Sequence, residues 1–310
     1  INTAVTGNVL LNDFDIQTNT QMVTPFNGAI SGGTLVLNAD GTYTFTPNAN
    51  WNGNVPAITY TISDGNSGTD NTAVGTNAIR QGGAANGSRN TAVGSAALSN
   101  GSGTSDNVAI GYYTLAAGIS GGSNTAVGTY ALQNNSTASY NVGIGYETLK
   151  NTTTGGSNTA VGRGAMLSNT SGDVNTAVGE SALISNTNGR YNTSIGHESQ
   201  YQNTAGNSNT AIGAAAIDRM TSGSNNVALG GFAGRYFGAG TSNNNTGMNS
   251  SILIGYDTRP LADNSSNEIV IGTSAIGNGD NTTTIGGATT TDTYLKGNVH
   301  VSNKIKISGG

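Results

Sequence analysis

Apolar residues fall along this chain in two rhythms. Over residues 1–69 they alternate with polar ones in short runs: Leu35 and Leu37, Tyr43 and Phe45, then Ile58, Tyr60 and Ile62. Turn signals such as Asp40-Gly41 and Asp64-Gly65 bound the runs. Period-two alternation interrupted by Asp-Gly predicts the short, half-buried strands of a β-sandwich. Trp51, the only tryptophan, lies in Asn48-Ala-Asn-Trp51-Asn-Gly53 and reads as a plug of that sandwich core rather than a ligand platform.

From Asn71 onward a longer period takes over. The motif Asn-Thr-Ala-Val-Gly ends at Gly75, Gly94, Gly111, Gly128, Gly145, Gly162, Gly179, Gly196, Gly213 and Gly230, a first step of 19 residues and then eight of 17. A fixed period this short predicts stacked coils. Counted from each Asn, position 4 is aliphatic in all ten units (Val74, Val93, Ile110, Val127, Ile144, Val161, Val178, Ile195, Ile212, Leu229) and is expected to be a buried row. Position 9 is aliphatic or Met in eight of ten, failing at Gln200 and Gly234, and is expected to be a second buried row. Position 8 is always small and position 3 is Ala except at Gly143 and Ser194, so both rows would let another backbone approach.

Seventeen residues hold two strands of four or five residues and two turns, one turn of a β-roll or narrow β-solenoid; ten coils at about 4.8 Å each predict a rod ~50 Å long. After Gly230 the rhythm breaks for one long step to Gly255, through Phe232, Tyr236, Phe237 and Asn243-Asn244-Asn245, before shorter coils resume. Val299, Val301, Ile305 and Ile307 alternate with polar residues as a closing strand. The expected organisation is a sandwich over 1–69, regular roll repeats over 70–230, an inserted loop at 231–250, irregular coils over 251–290 and a terminal strand or connector over 291–310. Each coil offers only about two large apolar side chains against a backbone entropy of roughly 1–2 kcal/mol per residue, so an isolated roll is expected to be marginal. Parallel copies sharing apolar rows across a symmetry axis would complete the core; a homo-oligomer is expected, a trimer being the natural order for a fibre and higher cyclic orders remaining open.

Composition narrows the function classes. Only 9% of the 310 residues are charged, 48 are glycine, and Asn, Thr and Ser supply the polar surface, an aperiodic disordered chain being a poor match. A net charge of -5 with scattered basic residues argues against nucleic acid as a partner, and no apolar run approaches a membrane span. With no cysteine, disulfides and thiolate metal sites are excluded. The start at Ile1, without initiator Met or signal peptide, reads as an interior or processed piece of a longer exported protein.

No catalytic constellation emerges, so the chain is expected not to be an enzyme. Arg163, Glu180 and His197 share position 6 of successive coils without a positioned nucleophile or second carboxylate, and read as an exposed charge ladder, as do Asp173 and Arg190. Tyr112, Tyr113, Tyr130 and Tyr146 at positions 6 and 7, with Tyr236 and Phe237 in the insertion, have two readings: aromatic faces for a sugar, or packing against neighbouring coils or subunits. Thr at position 2 in seven of ten units also raises an ice-binding row, with Val at 108, 142 and 227 pointing instead to a semi-buried site.

Three stretches carry a resemblance: Val5-Thr-Gly-Asn-Val-Leu-Leu-Asn-Asp-Phe-Asp15, then Gly33-Thr-Leu-Val-Leu-Asn-Ala-Asp-Gly-Thr-Tyr-Thr-Phe-Thr-Pro-Asn48, and Tyr60-Thr-Ile-Ser-Asp-Gly65. They resemble the cadherin-like tandem repeats of large bacterial surface proteins over most of the first 70 residues. That resemblance implies calcium as the one candidate cofactor, at Asp13, Asp15 and Asp64, hard cations requiring several oxygen ligands; solvated loop aspartates are the alternative, since Ile16-Gln17-Thr18-Asn19 stands where further acidic residues would be expected. The repeat Asn-Thr-Ala-Val-Gly-x-x-Ala-Leu is similar to units of trimeric autotransporter adhesin heads, which form β-rolls, and to repeats of phage tail fibres. Thr291-Asp-Thr-Tyr-Leu-Lys-Gly-Asn-Val-His300 looks like the segment preceding the self-cleaving chaperone domain of such fibres.

Together these imply an all-β, Ig/cadherin-like sandwich followed by an oligomeric β-solenoid. The expected role is a structural and adhesive segment of an extracellular fibre at the bacterial cell surface, meeting a glycan or protein of another cell through residues 231–250 or the tyrosines. A phage-like receptor-binding shaft and an ice- or glycan-binding solenoid are the alternatives.

Overall fold

The computed structural model describes residues 3–11, 22–53, 62–63, 70–79, 87–101, 103–118, 120–240, 242–294 and 300. Two compact units divide the chain after Ser157. Among the described residues every regular element is a β-strand and no helix occurs.

The first unit opens with a β-sandwich. Strands β1 (Val5–Asn8), β3 (Phe26–Ile30), β4 (Gly33–Leu37) and β5 (Thr42–Pro47) form an antiparallel sheet in the order β1-β5-β4-β3, and β2 (Met22–Val23) pairs with β6 (Ile62–Ser63). Alternation along β4 sends Leu35 and Leu37 inward, and Leu35 lies opposite Phe45 of β5, itself buried. Trp51 packs edge-on to Phe45 at 5.3 Å. Gly32, with φ 88°, lets the chain turn beneath that indole, where a Cβ would come within 2.3 Å of the ring. Ile58, Tyr60 and the closing strand predicted over 299–307 lie outside the described residues.

Coiling begins at residue 72, and about 12 turns follow with 17-residue spacing. In the first unit β7 (Thr72–Val74), β8 (Thr91–Val93), β9 (Val108–Ile110), β10 (Thr125–Val127) and β11 (Val142–Ile144) pair in parallel, each residue facing its own equivalent. In the second unit the same holds for β12 (Thr159–Val161), β13 (Thr176–Val178), β14 (Thr193–Ile195), β15 (Thr210–Ile212), β16 (Val227–Leu229), β17 (Ile252–Ile254), β18 (Ile269–Ile271) and β19 (Thr283–Ile285).

These three-residue strands correct the expected core. Each coil has one strand rather than two, and period-two alternation puts position 3 inside while positions 2 and 4 face out. Ala109, Ala126, Ala160 and Ala177 are fully buried. The position-4 residues Val74, Val93, Ile110, Val127, Ile144, Val161, Val178, Ile195, Ile212 and Leu229 are half-buried or exposed, up to 56% for Val74, so they are not a core row within the chain. The position-9 expectation holds: Leu98, Leu115, Leu132, Leu149, Met166, Leu183 and Ile217 are buried, and so is Gln200.

Position 9 lies on the opposite wall, which is made of turns. Its leucines sit in the left-handed region, with φ of 51–53° at Leu98, Leu115, Leu132, Leu149 and Leu183. That conformation costs roughly 1–2 kcal/mol per residue, and burying a leucine contributes about 1.5–3 kcal/mol, so the row is tolerated because it fills the coil.

Asparagine at position 1 forms a ladder. Asn175, Asn192 and Asn209 are buried, and in each the backbone N–H and Nδ2 both donate to Oδ1 of the preceding asparagine at 2.9–3.2 Å. Nδ2 also donates across the coil to a carbonyl, Asn192 to Gly206 at 2.8 Å. The first unit repeats the pattern from Asn90 to Asn124. The glycine at position 5 follows from a second close approach: its φ lies between 121 and 140° from Gly75 to Gly272, and a Cβ on Gly179 would meet the Gly196 carbonyl oxygen at 2.6 Å.

Candidate functional site

Because positions 2 and 4 both project outward, the strand wall presents parallel rows of Thr or Val and of Val or Ile, each side chain above its equivalent in the next coil. In the second unit this face runs through Thr159, Thr176, Thr193 and Thr210 beside Val161, Val178, Ile195 and Ile212. It is periodic, and its position-4 row is aliphatic and half-buried to exposed.

The predicted tyrosines come together in the first unit. Tyr112 meets Tyr113 at 4.6 Å and Tyr130 at 5.6 Å between ring centroids, and Tyr130 meets Tyr146 at 6.2 Å. Lys150, paired with Glu147 at 2.6 Å, lies 5.0 Å from the centre of the Tyr130 ring. Tyr112, Tyr113 and Tyr146 keep 38–46% of their surface exposed, so the cluster packs between coils and still offers ring faces.

Charge ladders also form where expected. Arg163 hydrogen-bonds Glu180, and that bond, more than the charge itself, lowers the carboxyl below its ordinary range. Arg190 and Asp173 approach to 3.3 Å. Both pairs are largely exposed and hold no nucleophile.

The richest chemistry lies where the period fails. In the coil starting at Asn226, position 9 is Gly234, and in the next coil it is Arg259, whose side chain is about nine-tenths buried in a row that is mostly aliphatic. Arg259 makes a bidentate pair with Asp257, at 2.9 and 2.6 Å, and donates to the carbonyls of Gly238 and Gly240, pinning the inserted loop. Tyr236 bridges to Asn244 within that loop, and Phe237 N–H donates to Asn243. The Arg235 guanidinium stacks at 5.1 Å from the Phe232 ring and 5.3 Å from Tyr236, whose ring also meets Arg259 at 5.5 Å. Phe232, Arg235, Tyr236, Tyr256, Asp257 and Arg259 line a cavity of about 250 Å³.

Behind it Asp218 is almost wholly buried, with Oδ2 3.4 Å from Arg219 and 3.6 Å from Arg235 while Oδ1 has no hydrogen-bond partner. Burial raises its carboxyl to about 6, against the pull of Arg235 and Arg219 and with help from Glu198. Sequence reasoning reached Tyr236 but not Arg235, Asp257, Arg259 or Asp218. The usable signal was a charge at position 9 of the coil after the insertion. Phe237, also predicted, does not line the cavity.

Asp13, Asp15 and Asp64 lie outside the described residues. Among the described residues no three His, Cys, Asp or Glu side chains are grouped so as to hold a metal ion, and no helix is long and apolar enough to cross a membrane.

Comparison with known proteins matches the first part of the chain. The family model for the cadherin-like domain matches residues 2–78, so the β-sandwich that precedes the solenoid is cadherin-like. No curated protein and no solved structure matches the chain.

Proposed function

We propose that this chain is a structural and adhesive segment of an extracellular bacterial surface fibre, in which copies associate side by side and the fibre attaches to a glycan or protein of another cell. The observation that carries this is the uncovered aliphatic row at position 4. Exposed contiguous apolar surface marks an interaction site, and a row repeating at the inter-strand spacing is best matched by an identical row on another copy. A phage-like receptor-binding shaft would use the same face and differs in source. A cadherin-like module ahead of the solenoid accords with the surface-protein reading. The role is mechanical and recognitive, with no catalysis.

Sedimentation equilibrium tests the assembly. The purified chain is expected to form a closed oligomer, a trimer first among the orders, and the combined change of Val161, Val178, Ile195 and Ile212 to Thr to yield a folded monomer. A monomeric parent chain, or an oligomer indifferent to all four changes, would defeat the proposal. The outward pairing of Thr at position 2 with Val or Ile at position 4 gives the ice-binding alternative its footing. Thermal hysteresis abolished by the same four changes would favour it.

A further inference from the structure

We infer that the cavity beside the inserted loop is a binding site for an acidic saccharide, a single pyranose ring bearing a carboxylate. At about 250 Å³ it lies just below the range for drug-sized ligands and suits one sugar ring. Three aromatic side chains line it. Phe232 and Tyr256 meet edge to face at 5.5 Å, and Tyr236 lies 5.3 and 5.5 Å from the Arg235 and Arg259 guanidinium groups. Tyr256 keeps 53% of its surface exposed, so its ring is open to the C–H surface of a sugar.

The two arginines are not equivalent. Arg259 is saturated by Asp257 and by two loop carbonyls, so it builds the wall. Arg235 is the less saturated one: it forms an ion pair with Asp218 at 3.6 Å, but among the described residues no acceptor closes a hydrogen bond to its guanidinium, its buried Nε included. The cavity lining thus carries two guanidinium groups against one carboxylate, and a planar guanidinium fork favours a carboxylate over a neutral hydroxyl. An inorganic anion would leave the aromatic lining unused, and a neutral sugar would offer the Arg235 fork only hydroxyl acceptors in place of a carboxylate. The coil with its insertion is eight residues longer than the 17-residue norm, as the 25-residue step from Gly230 to Gly255 shows, and the added chain is what supplies Tyr236 and the carbonyls that fix Arg259.

This inference rests on the adhesive reading for its biological sense, but its test does not depend on assembly. Saturation-transfer NMR and calorimetry on the full chain would use N-acetylneuraminic acid and methyl glucuronide, with methyl galactoside as the neutral control. Both acidic sugars, or one, should bind at least tenfold more tightly than the galactoside. Arg235→Gln and Tyr236→Ala should each weaken that binding tenfold or more, and Arg235→Lys, which keeps the charge, should lose less. Circular dichroism melting of each variant establishes that it is folded, and transferred contacts from aromatic protons, lost in Tyr236→Ala, locate the sugar independently of affinity. Equal binding of acidic and neutral sugars, binding unchanged by Arg235→Gln in a folded variant, or no binding by any of the three would overturn the proposal. Binding by a monomeric chain would overturn the assembly reading and leave this one standing.

Discussion

The regular coils from Asn175 to Ile217 and the disrupted stretch from Asp218 to Asn267 solve the same problem differently. In the regular coils the interior is uncharged, and each buried asparagine of the position-1 ladder finds its partner in its own equivalent one coil away. Even the coil at Asn192, with Ser194, Ser199 and Gln200 in place of apolar residues, satisfies them locally: Ser194 donates to the Ser199 carbonyl, Ser199 to Ala211 and Gln200 to Thr193. Beside the insertion the interior is charged, and Asp218, Arg219 and Arg235 each retain a buried atom without a hydrogen bond. Repetition favours satisfaction because translation by one coil places each ladder donor beside an acceptor, although Thr104 Oγ1, Thr152 Oγ1 and Asn186 Oδ1 stay without a hydrogen bond. Loss of the period weakens that tendency, and it is there that charged groups, Asp218, Arg219 and Arg235, remain available for a ligand.

The sharpest way to break the regular half is to remove one rung of the ladder. Asn192→Ala deletes two donations to Asn175, one to Gly206 and the acceptor used twice by Asn209. Because the amides are buried, each stranded group carries its desolvation penalty of about 1–3 kcal/mol, and a total loss of ~3–5 kcal/mol is expected in urea unfolding followed by circular dichroism. Asn243→Ala, on the exposed loop, should change stability by less than about 0.5 kcal/mol. Equal effects at the two sites would mean that the ladder is not what holds the coils.

How much of this was legible beforehand follows from the same contrast. The period, the glycine column and the leucine row at position 9 are read directly, because burial and backbone conformation restrict residue type at each coil. The strand wall departs from the expected core although the sequence carries its signal. Position 4 is β-branched from Val74 to Ile212, as extended backbone favours, whereas position 9 is Leu in five of ten units and β-branched only at Ile79 and Ile217. Two apolar rows were read as two strands, and only the three-residue strand length shows that position 4 points away from position 9. Asn at position 1 was visible as a repeat, but a recurring amide has the same spelling whether solvated or buried. The cavity was located only to its loop, since the partnership of Arg235 with Asp218 depends on how the insertion covers the preceding coil.

A smaller effect, of opposite sign, is expected from the disrupted half. The Asp218 carboxyl is raised to about 6 from the ordinary 3.8, so the folded state holds a proton that the unfolded chain releases between those values. Stability therefore falls as pH rises from about 4 to 6 and is level above. Asp218→Asn presents nearly the same group as the protonated acid without its ionisation. It should raise stability by ~1–3 kcal/mol at pH 7 and leave it unchanged near pH 4, as thermal melts at the two pH values will show. A destabilised variant at pH 7 would mean that the ion pairs with Arg219 and Arg235 outweigh burial.

The same chemical change on the regular surface should do least. Glu180 lies at position 6 with its side chain 45% exposed, bonded to an Arg163 that is 66% exposed. Its carboxyl is lowered, chiefly by that hydrogen bond, so any stability it contributes is present above the unfolded value of 4.5 and lost as pH falls through the lower folded value. At neutral pH both partners are well hydrated, and ordering two long side chains offsets most of their attraction. Glu180→Gln should leave the melting temperature within measurement scatter at pH 7 and physiological salt, whereas Asp218→Asn raises it. A change from carboxylate to amide thus reports burial rather than charge. If Glu180→Gln destabilised the coils as strongly as Asn192→Ala, the outer ladder would share the structural role here given to the buried asparagines alone.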